Sequence, residues 1–217
     1  MSLVDEEGII NIFKLLNKNK LNYILIRNIN QELPHKLEVG KDIDILINKN
    51  EEKKFISFLK ENSYKQLIHP FRYDTFLYGV NRLEFRYKNN KDILFDPNFQ
   101  IIVRSFEAGQ WIPLDQIIQK SAWENKRFHQ QDSNFGYWTL SYDDEFVCLV
   151  ARCVFDKKEF QDGYKKRIDE LYSMINKEDV LEKLNLIFFK FTPYIMELIK
   201  EKNYDNIIKN YLQFKEY

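Results

Sequence analysis

The sequence predicts an α+β protein: a mixed sheet flanked by helices over residues 1–140, followed by a helical domain over residues 141–217. Three observations carry this. Apolar residues recur at helical spacing over residues 5–19 and again from residue 141 onward. Two short Ile- and Leu-rich runs, residues 21–26 and 42–47, have the length and composition of buried strands. Between them and the helical part lies a stretch of short apolar segments broken by turn residues.

In order, the first helix covers residues 5–19 and buries Ile9, Ile10, Phe13 and Leu16. The strand at 21–26 stops at Arg27-Asn28. A polar loop follows over 28–40, with Pro34 and Gly40 as breakers. The 42–47 strand leads to a helix capped by Asn50 that runs to about residue 61, with Phe55, Ile56, Phe58 and Leu59 inside. Strands are expected at 64–69, 75–80, 82–87 and 92–95. Asn89-Asn90 supplies a hairpin turn, since Asn tolerates positive φ. Residues 99–106 extend the sheet and 109–113 break it. Residues 114–135 read as a short helix and a long loop, and 136–140 as one more strand. Ser141 with Asp144 has the capping-box spacing. Further helices are expected at 162–176, 178–190, 192–202 and 204–214, the third starting with Thr192 as cap and Pro193 at the first helical position.

Composition excludes several classes. Lys plus Arg number 33 and Asp plus Glu 33, which argues against gripping long nucleic acid by a basic surface. Cys148 and Cys153 form no CxxC pair or disulfide framework. They read as buried thiols of a reducing compartment, so a cytoplasmic location is expected. No apolar run approaches the roughly 18 residues of a membrane span, and no signal peptide is visible. His35, His69 and His129 are too scattered for a zinc site. The basic cluster at 157–167 alternates with Asp156, Glu159, Asp162 and Asp169, the pattern of a solvated face. No Walker A loop, dinucleotide fingerprint or nucleophile elbow occurs.

The stretch Gly40-Lys41-Asp42-Ile43-Asp44-Ile45-Leu46-Ile47 carries the chemistry. Residues i and i+2 of a strand share a face. Asp42 and Asp44 therefore project together, and Ile43, Ile45 and Ile47 face a core. Two like charges side by side repel, and a hard divalent cation such as Mg²⁺ removes that penalty.

An apolar strand ending in a short polar motif, then a loop, then a strand bearing Asp-x-Asp, resembles the nucleotidyltransferase (polymerase β-like) superfamily. The stretch 23–28 followed by 40–47 is similar to its small bacterial and archaeal branch. The resemblance implies a nucleotidyltransferase-like mixed sheet and a reaction that moves an NMP from an NTP to a small-molecule or sugar-derived acceptor. It implies three carboxylates holding two Mg²⁺ with the bound NTP. Asp42 and Asp44 are two of them; Asp96, at the end of the 93–95 run, is the chosen third, with Asp92 and Glu84 as alternatives. It also implies nucleotide contacts from Arg27, Asn28 and Lys41. Where the family has Gly-Gly or Gly-Ser, this chain has Arg27-Asn28. Asn can take the left-handed conformation that turn requires, and Arg27 either pairs with phosphate oxygens or forms a salt bridge to Asp42. Two other readings start from the same residues. One is a catalytically inactive binding protein of this fold. The other is a metal-dependent glycosyltransferase, against which stands the single strand preceding the Asp-x-Asp pair.

Overall fold

The computed structural model of the chain describes residues 2–68, 76–77, 85–106 and 110–216. It divides into two compact units, Met1–Asp74 with Asn81–Gln100 and Lys126–Thr139, and Thr75–Val80 with Ile101–Asn125 and Leu140–Tyr217.

The elements are α1 (Glu6–Lys18), β1 (Tyr23–Leu25), β2 (Asp42–Ile47), α2 (Glu52–Glu61), β3 (Lys65–Ile68), β4 (Phe76–Leu77), β5 (Phe85–Lys88), β6 (Leu94–Asn98), β7 (Ile102–Arg104), β8 (Gln110–Pro113), α3 (Gln116–Glu124), β9 (Arg127–Asp132), β10 (Phe135–Thr139), α4 (Tyr142–Arg152), α5 (Asp162–Tyr172), α6 (Lys177–Phe188), α7 (Thr192–Lys200) and α8 (Ile207–Gln213).

The first unit is built on a seven-stranded mixed sheet of order β3-β5-β6-β2-β1-β10-β9. β1 and β2 are antiparallel, with Leu25 opposite Ile45, while β2 and β6 run parallel, as do β1 and β10. One face is closed by α1 and α2. Ile9, Phe13 and Leu16 of α1 and Phe55, Phe58 and Leu59 of α2 join Ile43, Ile45, Ile47, Phe95 and Tyr137 in one core. Complete burial of Ile43, Ile45 and Ile47 contributes roughly 1.5–3 kcal/mol per side chain. α1 is capped by Asp5, whose carboxylate accepts from the Gly8 N–H at 3.2 Å. The cap before α2 is Asn48, not Asn50: a 3₁₀ turn over Lys49–Glu51 precedes the helix, and Asn48 accepts from the Asn50 N–H at 3.0 Å.

The β5–β6 turn also departs from expectation. Asn89 accepts from the N–H groups of Lys91 and Ile93, both at 3.0 Å, and the positive φ falls on Asp92 (62°). β6 runs on through Asp96-Pro97. Its register with β5 covers Leu94 and Phe95, so Pro97, which lacks an N–H, sits where β6 pairs with β2. Part of the 114–135 segment is β9. Its sequence, Arg-Phe-His-Gln-Gln-Asp, hides the strand because β9 is the sheet edge and stays polar.

The second unit holds a three-stranded sheet, β4-β8-β7, and helices α3 to α8. β7 therefore belongs to this small sheet instead of extending the large one, and residues 110–113 form a strand where a break was expected. Pro113 is tolerated as the last residue of β8. The described part of the 75–80 segment is β4; residues 75 and 78–80 lie outside the described residues. Ser141 caps α4 as expected, accepting from the Asp144 N–H at 3.1 Å. Thr192 is not a cap: it lies inside α7 and is fully buried, with Pro193 in the first turn. Cys148 and Cys153 are free thiols. Burial pushes the Cys153 thiol up to about 12, which leaves it inert near neutral pH. Among the described residues no helix is long and apolar enough to cross a membrane.

Candidate active site

The two faces of β2 differ. Ile43, Ile45 and Ile47 point into the helix-covered core, while Asp42 and Asp44 occupy the other face, half-buried. Further along that face Leu46 lies opposite Ile24, and both are fully buried. The carboxylates thus stand at the open end of a strip that is dry farther on, where an electrostatic contact is less screened.

β6 sets Asp96 on the same face. Asp44 lies opposite Asp96 in the parallel register, and Ile43 opposite Phe95. Neighbouring strands are about 4.8 Å apart, so Asp44 and Asp96 are cross-strand neighbours on one face, with Asp42 two residues back along β2. The repulsion this creates is met by arginines. Arg27 lies just beyond β1, where the Ile26 N–H still donates to the Asp44 carbonyl at 3.1 Å. Its guanidinium bonds the Asp44 carboxylate, not that of Asp42. Asp42 is taken by Arg86, Nη1 to Oδ2 at 3.1 Å.

Arg86 is absent from the sequence reading. Tyr87 pairs with Phe95 on the core face, so Arg86 falls on the acidic face by alternation. The signal that could have found it is this parity within β5, but its use requires knowing that β5 lies beside β6 and β6 beside β2.

Asn28 does not adopt positive φ; in this loop the positive values fall at Gln31 (54°) and Gly40 (92°). Its side chain staples the loop instead. Oδ1 accepts from the Leu33 N–H at 3.1 Å, and Nδ2 donates to the Leu33 carbonyl at 3.1 Å and to the Tyr137 hydroxyl at 3.2 Å. Gly40 is the residue whose backbone needs the glycine, two positions before Asp42. Lys41 is exposed, and its N–H donates to the Glu38 carbonyl at 3.0 Å. Asp92 lies in the hairpin turn, paired with Lys88 at 2.6 Å. Glu84 lies outside the described residues.

The donor set suits a hard cation: three carboxylates on one face, which match the all-oxygen preference of Mg²⁺. The rotamers do not form a closed ligand shell. Asp42 and Asp44 are turned onto guanidinium groups, and among the described residues no three His, Cys, Asp or Glu side chains come together as a metal-ligating group. The residues match such an ion in donor chemistry and strand placement, but Asp44 and Asp42 are engaged by Arg27 and Arg86.

No protein-family model matches the chain, and no curated protein matches it. Among solved structures it is similar to the lincosamide antibiotic adenylyltransferase LnuA, lincomycin-bound, at 14% identity and a TM-score of 0.44, covering 80% of this chain and 100% of that one. It is similar also to the antibiotic-resistance factor ANT(2'')-Ia, at 10% identity and a TM-score of 0.47, covering 91% of this chain and 99% of that one. Both scores lie below 0.5, and these likenesses assign no function to the chain.

Proposed function

We propose that the chain is a Mg²⁺-dependent nucleotidyltransferase that moves an NMP from an NTP to a small-molecule or sugar-derived acceptor. The observation that carries this reading is the register of β2 with β6, which sets Asp44 opposite Asp96 with Asp42 on the same face. Asp42, Asp44 and Asp96 are the residues that would hold metal. Mg²⁺, when bound there, supplies charge neutralisation for the triphosphate and a lowered pKa for the acceptor oxygen. The chain's own residues position and shield. Arg27 exchanges the Asp44 carboxylate for phosphate oxygens, which its planar fork matches. Asn28 keeps the shape of the 28–33 loop through its bonds to Leu33. Lys41, exposed beside Asp42, adds a mobile positive charge at the entrance. The acceptor oxygen attacks the α-phosphorus in line and pyrophosphate departs, so catalysis rests on placement and charge.

Titration calorimetry with ATP, CTP, GTP and UTP in the presence of Mg²⁺ tests this. At least one nucleotide is expected to bind, and Asp42→Asn or Asp44→Asn is expected to abolish metal-dependent binding. Absence of binding by all four, or retention in both variants, overturns it.

A non-catalytic binding protein of the same fold is the second reading. It is favoured by one observation: the turn that is Gly-Gly or Gly-Ser in the family is filled here by the Asn28 side chain, with its amide committed to Leu33 and Tyr137. Nucleotide binding without release of pyrophosphate across a panel of sugar and hydroxyl acceptors would select it.

A further inference from the structure

Within the first unit, a cavity of about 620 Å³ opens beside the edge strand β9. This is the size range of small-ligand sites. It lies at the far end of β1 from the acidic face. Asn22 lines it, and the extended chain from Asn22 to Ile26 spans about 13 Å.

Its lining is of one electrostatic sign. Lys20 and Lys126 contribute ammonium groups and, among the described residues, no carboxylate lines it, in a chain with as many acidic as basic residues. Lys126 is half-buried, with Nζ 4.6 Å from the centre of the Trp138 ring and a bond to the Asn22 side-chain oxygen. Burial lowers the pKa of this ammonium, against the opposing influence of Glu51. A cation held partly out of water gains from an incoming anion more than a solvated lysine does. Glu51 is not among the lining residues; its carboxylate accepts from the Asn22 N–H at 2.6 Å, faces Lys54 at 3.6 Å and acts on Lys126 from outside the lining.

Beside the cation stands a fixed aromatic surface. Phe128 packs edge-on against Trp138, ring centres 5.1 Å apart, and is 41% exposed. Its ring lies over Gly136, where a Cβ would come within 2.6 Å of it. Covering a strand glycine holds the ring in place, and the exposed fraction is still available for stacking. Ser133 and Asn134, on the turn between β9 and β10, add hydroxyl and amide groups at the rim.

We propose that this cavity binds a small ligand in which a flat ring is joined to a phosphate monoester, of the nucleoside monophosphate kind: the ring stacks on Phe128 and the phosphate pairs with Lys126. The site is independent of Asp42, Asp44 and Asp96 and needs no metal, since its cations are lysines.

The test is calorimetric titration of the full chain in EDTA with AMP and UMP, alongside adenosine, which lacks the anion, and ribose 5-phosphate, which lacks the ring. A nucleoside monophosphate is expected to bind, with both fragments at least about tenfold weaker. Lys126→Gln, which keeps a hydrogen-bonding group for Asn22, is expected to weaken binding about tenfold or more, and Phe128→Leu to weaken it as well. Asp44→Asn should leave it unchanged, which separates this site from the metal-dependent one. Thermal melts of each variant confirm folding. No binding of either monophosphate at millimolar concentration, equal binding of ribose 5-phosphate, or unchanged affinity in folded Lys126→Gln overturns the proposal.

Discussion

At the scale of single residues, the balance at the acidic face is set by Arg27 and Arg86. A cation approaching Asp42 must displace the Arg86 guanidinium, whose pair with it is partly exposed, at 24% and 31% of the two side chains. Exchanging such a pair is worth about 0.2–1 kcal/mol. Removing Arg86 therefore bears on two measurements. For Mn²⁺ alone, followed by the loss of its free-ion paramagnetic signal, Arg86→Gln should tighten binding by up to about fivefold. If Arg86, once displaced from Asp42, turns to a phosphate oxygen as proposed for Arg27, the same variant should bind nucleotide with metal more weakly. Weaker or unchanged Mn²⁺ binding in Arg86→Gln would show that Arg86 does not compete with metal, and tighter nucleotide binding would show that it is no phosphate partner. Asp42 and Asp44 were legible because alternation along one strand is local information. Asp96 was legible as a carboxylate after an apolar run, but its place opposite Asp44 comes from β2–β6 pairing. Arg86 was not legible, since two strand pairings stand between it and Asp42. Asn28 was read as a residue able to turn the backbone; its side chain shapes the loop instead.

At the scale of elements, α3, α4 and α6 are joined by a buried polar knot. Asp144, fully buried in α4, accepts from Lys183 of α6 at 2.8 Å, from Ser121 of α3 at 2.9 Å and from Ser141 at 2.7 Å. Lys183, 5% exposed, also reaches Asp179 at 2.5 Å. Sequence reading assigned Asp144 only to the α4 capping box, because its partners lie on two other helices. Removing one member of a buried pair leaves the other charge uncompensated, a loss of about 3–5 kcal/mol. Lys183→Met should show this in the urea midpoint, and adding Asp144→Asn should recover part of it, since the amide oxygen still accepts from Ser121 and carries no charge. A loss below about 1 kcal/mol in Lys183→Met would mean that water reaches Asp144. The strands were legible in proportion to burial: β2, buried beyond Asp44 on both faces, had the boundaries read from its apolar run, whereas β9, polar at the sheet edge, passed for a loop.

At the scale of the whole molecule, the mixed α+β character follows from local patterns, but the order β3-β5-β6-β2-β1-β10-β9 does not. Neighbours such as β1 and β10 are brought together across more than a hundred residues, as Leu25 opposite Thr139 illustrates. The segments of the two units also alternate along the chain, so that sequence proximity is a poor guide to which unit a strand joins. One consequence concerns how the chain tolerates insertions. The connections between β2 and β6 can change in length so long as α2, β3 and β5 keep their packing and β6 keeps its phase. A residue inserted between Leu94 and Phe95 shifts the last residues of β6 by one step and exchanges their faces. Asp96 then points toward the Phe55 and Phe95 side of the sheet, and a hydrophobic ring is left on the acidic face. A single-residue insertion there should therefore abolish metal-dependent nucleotide binding and lower the melting temperature. A two-residue insertion at the same point restores the phase and should recover part of both. If the two variants behave alike, phase does not govern the site. For Asp96, whether an insertion inside β6 is odd or even matters more than the length of the connections that precede the strand.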